Sequence, residues 1–93
     1  MTSDIGHDPV RRRFETEVER EHCTLDYELD GDTMVITHVN VPDPVSGRGI
    51  AASLTEAALT HARAAGWRVI PQCPYAAAYV RRHPGWSDIL ARS

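Results

Sequence analysis

From Arg13 the chain alternates, with Phe14, Thr16 and Val18 on one side and Arg13, Glu15, Glu17 and Glu19 on the other, the period-two pattern of a half-buried strand. Its charged face predicts an edge strand. A second alternating run sets Cys23, Leu25, Tyr27 and Leu29 against Thr24, Asp26 and Glu28, and the Asp30-Gly31 that follows suits the positive φ values of a two-residue hairpin turn. The antiparallel partner is then Thr33 to about Val41. There Met34, Ile36, His38 and Asn40 share one face and Val35, Thr37, Val39 and Val41 the other, so the strand is apolar on both sides and central, with His38 interrupting an apolar row.

Pro42 and Pro44 cannot donate to a ladder and end the pairing. Beyond Gly47-Arg48-Gly49 the period changes to that of a helix. Ile50, Leu54, Ala57, Ala58, His61 and Ala65 line one face, Ser53, Glu56, Thr60 and Arg63 the other, and Gly66 closes about four turns. His61 lies mid-helix without an evident partner. Trp67 to Gln72 reads as a strand, parallel to the third because a helix separates them. Pro74 opens a second helix, Tyr75 to Arg82, which His83-Pro84-Gly85 stops. The order is β-β-β-α-β-α, an α+β fold. Met1 to Val10 has no apolar period and is expected to be a flexible lead-in to a single domain over residues 11–93.

Ninety-three residues suffice for one core. No apolar run reaches the roughly 18 residues that span a membrane, and the first residues lack the basic-then-apolar order of a signal peptide. The expectation is a soluble cytoplasmic protein, monomeric or weakly dimeric. A net charge of −3 argues against a general nucleic-acid binder, although all ten basic residues are arginine and some cluster at Arg11-Arg12-Arg13 and Arg81-Arg82. The two cysteines form no CxxC pair, and His22, Cys23, His38, Cys73 and His83 show no metal-ligand spacing, so no metal is expected. Cys23 reads as a small buried apolar residue.

Glycines on both sides of Arg48 at a helix start let backbone N–H groups approach a ligand, and the helix dipole favours an anion there. This is the outline of a phosphate site, although the same pattern also serves a simple tight turn. Cys73 sits where a strand ends and a helix starts, a setting that favours the thiolate.

Three segments carry a resemblance: Thr37-His38-Val39-Asn40-Val41-Pro42, Ser46-Gly47-Arg48-Gly49-Ile50-Ala51, and Ile70-Pro71-Gln72-Cys73-Pro74-Tyr75 continuing through Arg82-His83-Pro84-Gly85-Trp86. In this order they resemble the GNAT superfamily of acyl-CoA-dependent N-acetyltransferases, and most closely its short single-domain, YidJ-like branch with a Pro-x-Cys-x-Tyr motif. The resemblance covers about Arg12 to Leu90. Two positions depart from it: Ser46 stands where the pyrophosphate loop begins with a long polar side chain, and Val39 replaces a threonine after the histidine.

The resemblance implies a minimal GNAT-like fold, an antiparallel meander with a parallel, splayed last strand pair and helices packed on the sheet. It implies acetyl-CoA as cosubstrate, its pantetheine arm against the backbone of Val39 and Val41 and its pyrophosphate on Ser46, Gly47, Arg48, Gly49, Ile50 and Ala51. Cys73 falls at the position proposed as reactive in the short branch, and His38 is the candidate base toward Cys73 or the incoming amine. Tyr79 resembles the tyrosine that protonates the departing CoA thiolate. The implied activity is acetyl transfer to an amine, on a small molecule or a peptide, directly or through Cys73. A non-catalytic acyl-CoA-binding module and a protein-interaction domain are the alternatives.

Overall fold

A computed structural model describes residues 5–91. Five strands form one sheet in chain order: β1 Gly6–Asp8, β2 Arg13–Val18, β3 Glu21–Asp30, β4 Thr33–Asn40 and β5 Arg68–Pro71. The first four pair antiparallel and β5 pairs parallel to β4, as the intervening helix requires. Helix α1 spans Ile50–Ala65 and ends on Gly66, left-handed at φ 77°; α2 spans Pro74–Arg82 with its proline in the first turn.

One core joins Phe14, Leu25, Tyr27, Met34, Ile36 and Val69 of the sheet to Leu54, Ala58, Leu59 and Ala62 of α1 and to Ala76, Tyr79 and Val80 of α2. Both helices therefore cover the same face. The buried stripe of α1 adds Thr55, Leu59 and Ala62 to the expected Leu54 and Ala58, and the small alanines let the helix lie close to the strands. The other sheet face carries Arg13, Glu15, Thr24, Asp26 and Glu28 and has no helix over it, hence its polar composition.

Residues 6–8, expected within the lead-in, instead form β1, so β1 and not β2 is the sheet edge; residues 1–4 lie outside the described chain. His7 fastens the new strand. Its ring stacks on Phe14 with centroids 4.2 Å apart, and its Nε2 lies 2.6 Å from the Tyr27 hydroxyl. His61, read as partnerless, meets His7 edge-on at 4.4 Å and Trp67 at 5.1 Å.

The expected facing of β4 holds only for its first half. The register passes from Tyr27↔Ile36 to Asp26↔His38, which leaves Thr37 as a bulge whose hydroxyl donates to the Asp26 carbonyl at 3.2 Å. One extra residue reverses the alternation beyond it. Met34 and Ile36 point into the core, then Val39 and Val41 do, while His38 and Asn40 turn to the uncovered face and are exposed. His38 therefore interrupts no apolar row.

Candidate active site

β4 and β5 stay paired only as far as Ile36↔Pro71, closed by a bond from the Cys73 N–H to the Ile36 carbonyl at 2.9 Å. Beyond that point β4 runs on to Asn40 paired with β3 only. The Tyr27 N–H donates to Arg12 on the β2 side, so alternation turns Thr24 and Asp26 toward β4, where they face Asn40 and His38. The main-chain groups of Val39, and of Val41 after it, are thereby directed to the edge that β5 has left.

The chain leaves β4 through a 3-10 turn, Asp43–Val45, pinned by Val45, whose side chain is completely buried. Gly47 and Gly49 follow in the left-handed region at φ 81° and 78°. A side chain at either would meet no atom within 4 Å, so glycine is required there by backbone conformation and not by crowding. Gly49 is the N-cap of α1 and offers no capping side chain. The first helical bond runs from Ser53 N–H to Gly49 O at 3.0 Å, which leaves the N–H groups of the preceding turn to an outside acceptor. They open on a cleft of about 230 Å³ lined by Val41, Ser46, Gly47, Gly49, Ile50, Ala51, Ala52 and Tyr75.

Six of the eight residues expected to hold the cofactor thus line one cleft. Val39 lies deeper along the same strand edge. Arg48 turns outward, its guanidinium gripped by both carboxylate oxygens of Glu19 (Nη1 to Oε2, and Nη2 to Oε1 at 3.3 Å). This pairing holds the Glu19 carboxyl below its ordinary range. Ser46 donates its hydroxyl to the Asp43 carbonyl at 2.9 Å, within the turn.

Cys73 is the N-cap of α2, 7% exposed, on the core side of the sheet. His38 stands on the uncovered face, so the structure does not bring these two together. Tyr79 is likewise buried, its ring stacked 4.1 Å from His83 and its hydroxyl against Trp86. Burial raises its pKa, and the negative charge of Glu56 and the neighbouring Tyr75 add to this. Trp86 is in turn held by Arg63, whose guanidinium lies 4.3 Å over the indole and whose Nη2 bonds Gly85 O at 2.8 Å and Asp88 Oδ1 at 2.5 Å.

Tyr79 lines a second cleft, of about 440 Å³ between α1 and α2, with Ser53, Glu56, Tyr75, Arg82 and His83. Tyr75 and Ala52 belong to both clefts and make them neighbours. Tyr75, with no role assigned from the sequence, could have been noted because it follows Pro74 in the first turn of a helix starting beside the split. Among the described residues no group of three His, Cys, Asp or Glu side chains is placed to hold a metal ion.

Comparison with known proteins agrees with this geometry. A family profile described as GCN5-related N-acetyl-transferase matches residues 13–89. Protein NATD1 from mouse is 35% identical over 83 residues, covering 86% of this chain and 76% of its own length, and human NATD1 is 35% identical with 86% and 74% covered. The solution structure of a GCN5-like putative N-acetyltransferase from Staphylococcus aureus superposes with a TM-score of 0.77 over 100% of this chain and 93% of that one, at 21% identity, and so attests the fold. Split parallel strands, a glycine turn feeding a helix and a profile match across the domain have one common meaning: this chain belongs to the GCN5-related N-acetyltransferase family.

Proposed function

We propose that the chain binds acetyl-CoA in the β4/β5 split and transfers the acetyl group to an amine, as a member of the short, YidJ-like branch carrying the Pro-x-Cys-x-Tyr motif. The observation that carries this reading is the parting of β4 from β5 immediately beside uncapped helical amides. A pantetheine arm is a chain of amides, and an unpaired strand edge at Val39 and Val41 supplies the donors and acceptors it lacks. The diphosphate then falls on the N–H groups of Gly47 to Ala51, where the dipole of a 16-residue helix favours negative charge. The α1/α2 cleft continues outward from this point, with Arg82 as a cation for the nucleotide end.

In direct transfer the amine nitrogen attacks the thioester carbonyl, the C–S bond breaks, and CoA leaves as a thiolate. The amine proton needs an acceptor and the thiolate a donor. His38 stands on the uncovered face, from which an acceptor can approach, and serves as the base toward that amine. Its expected alternative, deprotonating Cys73, has no support in their placement. Tyr79, held protonated by burial, is suited to return a proton to CoA. In the covalent variant the Cys73 thiolate attacks the thioester carbonyl, the C–S bond to CoA breaks and CoA leaves as a thiolate; the amine then attacks the Cys73 thioester and releases the Cys73 thiolate. Because no helix covers the acceptor side, the acceptor is an amine displayed on a peptide or a small polyamine.

Two details favour a binding module as the second reading: Ser46 spends its hydroxyl inside the turn, and Arg48 is neutralised by Glu19. Incubation with acetyl-CoA, intact-mass measurement and an amine panel separate the two. Turnover, or a one-acetyl adduct that vanishes in Cys73→Ser, supports the enzyme; CoA binding with neither supports the module.

A further inference from the structure

We propose that Glu19, at the tip of the β2–β3 hairpin, competes with the diphosphate for Arg48 and so sets how tightly the glycine turn holds its ligand; this rests on reading that turn as the CoA site. Arg48 is the only charged residue between Ser46 and Ala51. Its conformation is dictated by a left-handed glycine on each side, which places the one cation of the turn at its outer rim. Glu19 reaches it from 29 residues earlier in the chain.

The hairpin is built for this reach. Val18 pairs with Glu21, leaving a two-residue loop in which Glu19 and Arg20 are both left-handed, at φ 48° and 70°. Side-chain-bearing residues rarely adopt that conformation, and glycine or asparagine would relieve it. The strained tip carries a carboxylate that meets both terminal guanidinium nitrogens, Nη1 and Nη2.

Arg48 and Glu19 largely cancel each other's charge, and the Ser46 hydroxyl is bonded within the turn. A diphosphate arriving at the amides of Gly47 to Ala51 meets the Glu19 charge as a repulsion, and gains Arg48 only when Arg48 lets Glu19 go. Both side chains are open to water, 46% exposed for Arg48 and 64% for Glu19, so the exchange needs no unfolding and the released carboxylate is hydrated at once. Arg48 with a phosphate forms the same kind of forked pair that it forms with Glu19. The outcome is an affinity deliberately held below what the turn and its arginine would give alone, which favours release of CoA after each transfer.

Calorimetric titration of CoA into the wild type, Glu19→Gln, Arg48→Gln and the double variant tests this. Glu19→Gln should tighten CoA binding by about two- to fivefold, the scale of one exposed charge pair. Arg48→Gln should weaken it, and adding Glu19→Gln to Arg48→Gln should change affinity less than about twofold, since the competition needs both partners. Weaker binding by Glu19→Gln would show that the pair is a brace and overturn the proposal, as would unchanged affinity. Wild-type protein that binds no CoA would overturn the functional reading itself, an outcome told apart because all four proteins would then be silent. Melting temperatures of the four proteins confirm that affinities compare folded proteins.

Discussion

Two helices start beside the β4/β5 split, one at its open end and one at its closed end, and they start differently. α1 begins on Gly49, left-handed and without a capping side chain, and its first amides face a cleft. α2 begins on Cys73, whose own N–H is spent on the Ile36 carbonyl and whose successor, Pro74, has no N–H to offer. One start keeps its donors for a ligand. The other spends one amide tying the strands together, has a proline in place of the next, and leaves a thiol at the closed end of the split. Under the proposed function, the contrast separates the task of holding an anion from the task of handling an acyl group, and each can be broken alone.

The largest effect is expected at the closed end. If transfer runs through the thiol, Cys73→Ser abolishes the acetyl adduct and lowers turnover by about 10⁴-fold or more, the scale seen when a nucleophile is removed. Turnover within severalfold of wild type would assign the reaction to the direct route. Next, His38→Gln should slow transfer by about 10²–10⁴-fold with CoA affinity nearly unchanged, as for a base acting on the acceptor; equal loss of CoA binding would make His38 structural. At the open end, Gly49→Ala should weaken CoA binding about tenfold and cost about 1–2 kcal/mol of stability through its left-handed backbone. Gly66→Ala at the far end of α1, with φ 77° against 78°, is the control: it should lose similar stability without changing CoA affinity.

The smallest effect concerns neither end. His7 is held below its ordinary pKa by burial first and then by the nearby His61, with Asp8 opposing. The unfolded chain therefore takes up the proton before the folded one does. Stability from this site is complete above about pH 6.5 and is lost as the pH falls toward the lowered value. A melting temperature that drops between pH 7 and 5, less steeply in His7→Gln, would be the sign; no difference between the two proteins would remove His7 from the explanation.

The sequence makes the open end more legible than the contacts around it. Gly47, Gly49, Gly66 and Pro74 are local signals, and the boundaries of α1 and α2 follow from them. The bulge at Thr37 has no such mark, because threonine sits equally well in a regular strand, and the facing of His38 therefore departs from the simple alternation. The hairpin loop proved to be Gly31–Asp32, one residue later than Asp30-Gly31, with only Gly31 left-handed. The turn at Glu19-Arg20 lacks the glycine or asparagine that announces a two-residue hairpin. Glu19 with Arg48, and His7 with His61, are separated by dozens of residues, and only the assembled sheet brings them together.

The most direct measurement is an amide-resolved NMR titration with CoA. Binding in the split shifts the amides of Val39, Val41, Gly47, Gly49, Ile50 and Ala51 most, with Tyr75 following and Glu15, Glu17 and Glu28 on the uncovered face little affected. Saturating CoA that leaves the glycine turn unmoved, or that shifts chiefly the uncovered face, would contradict the site.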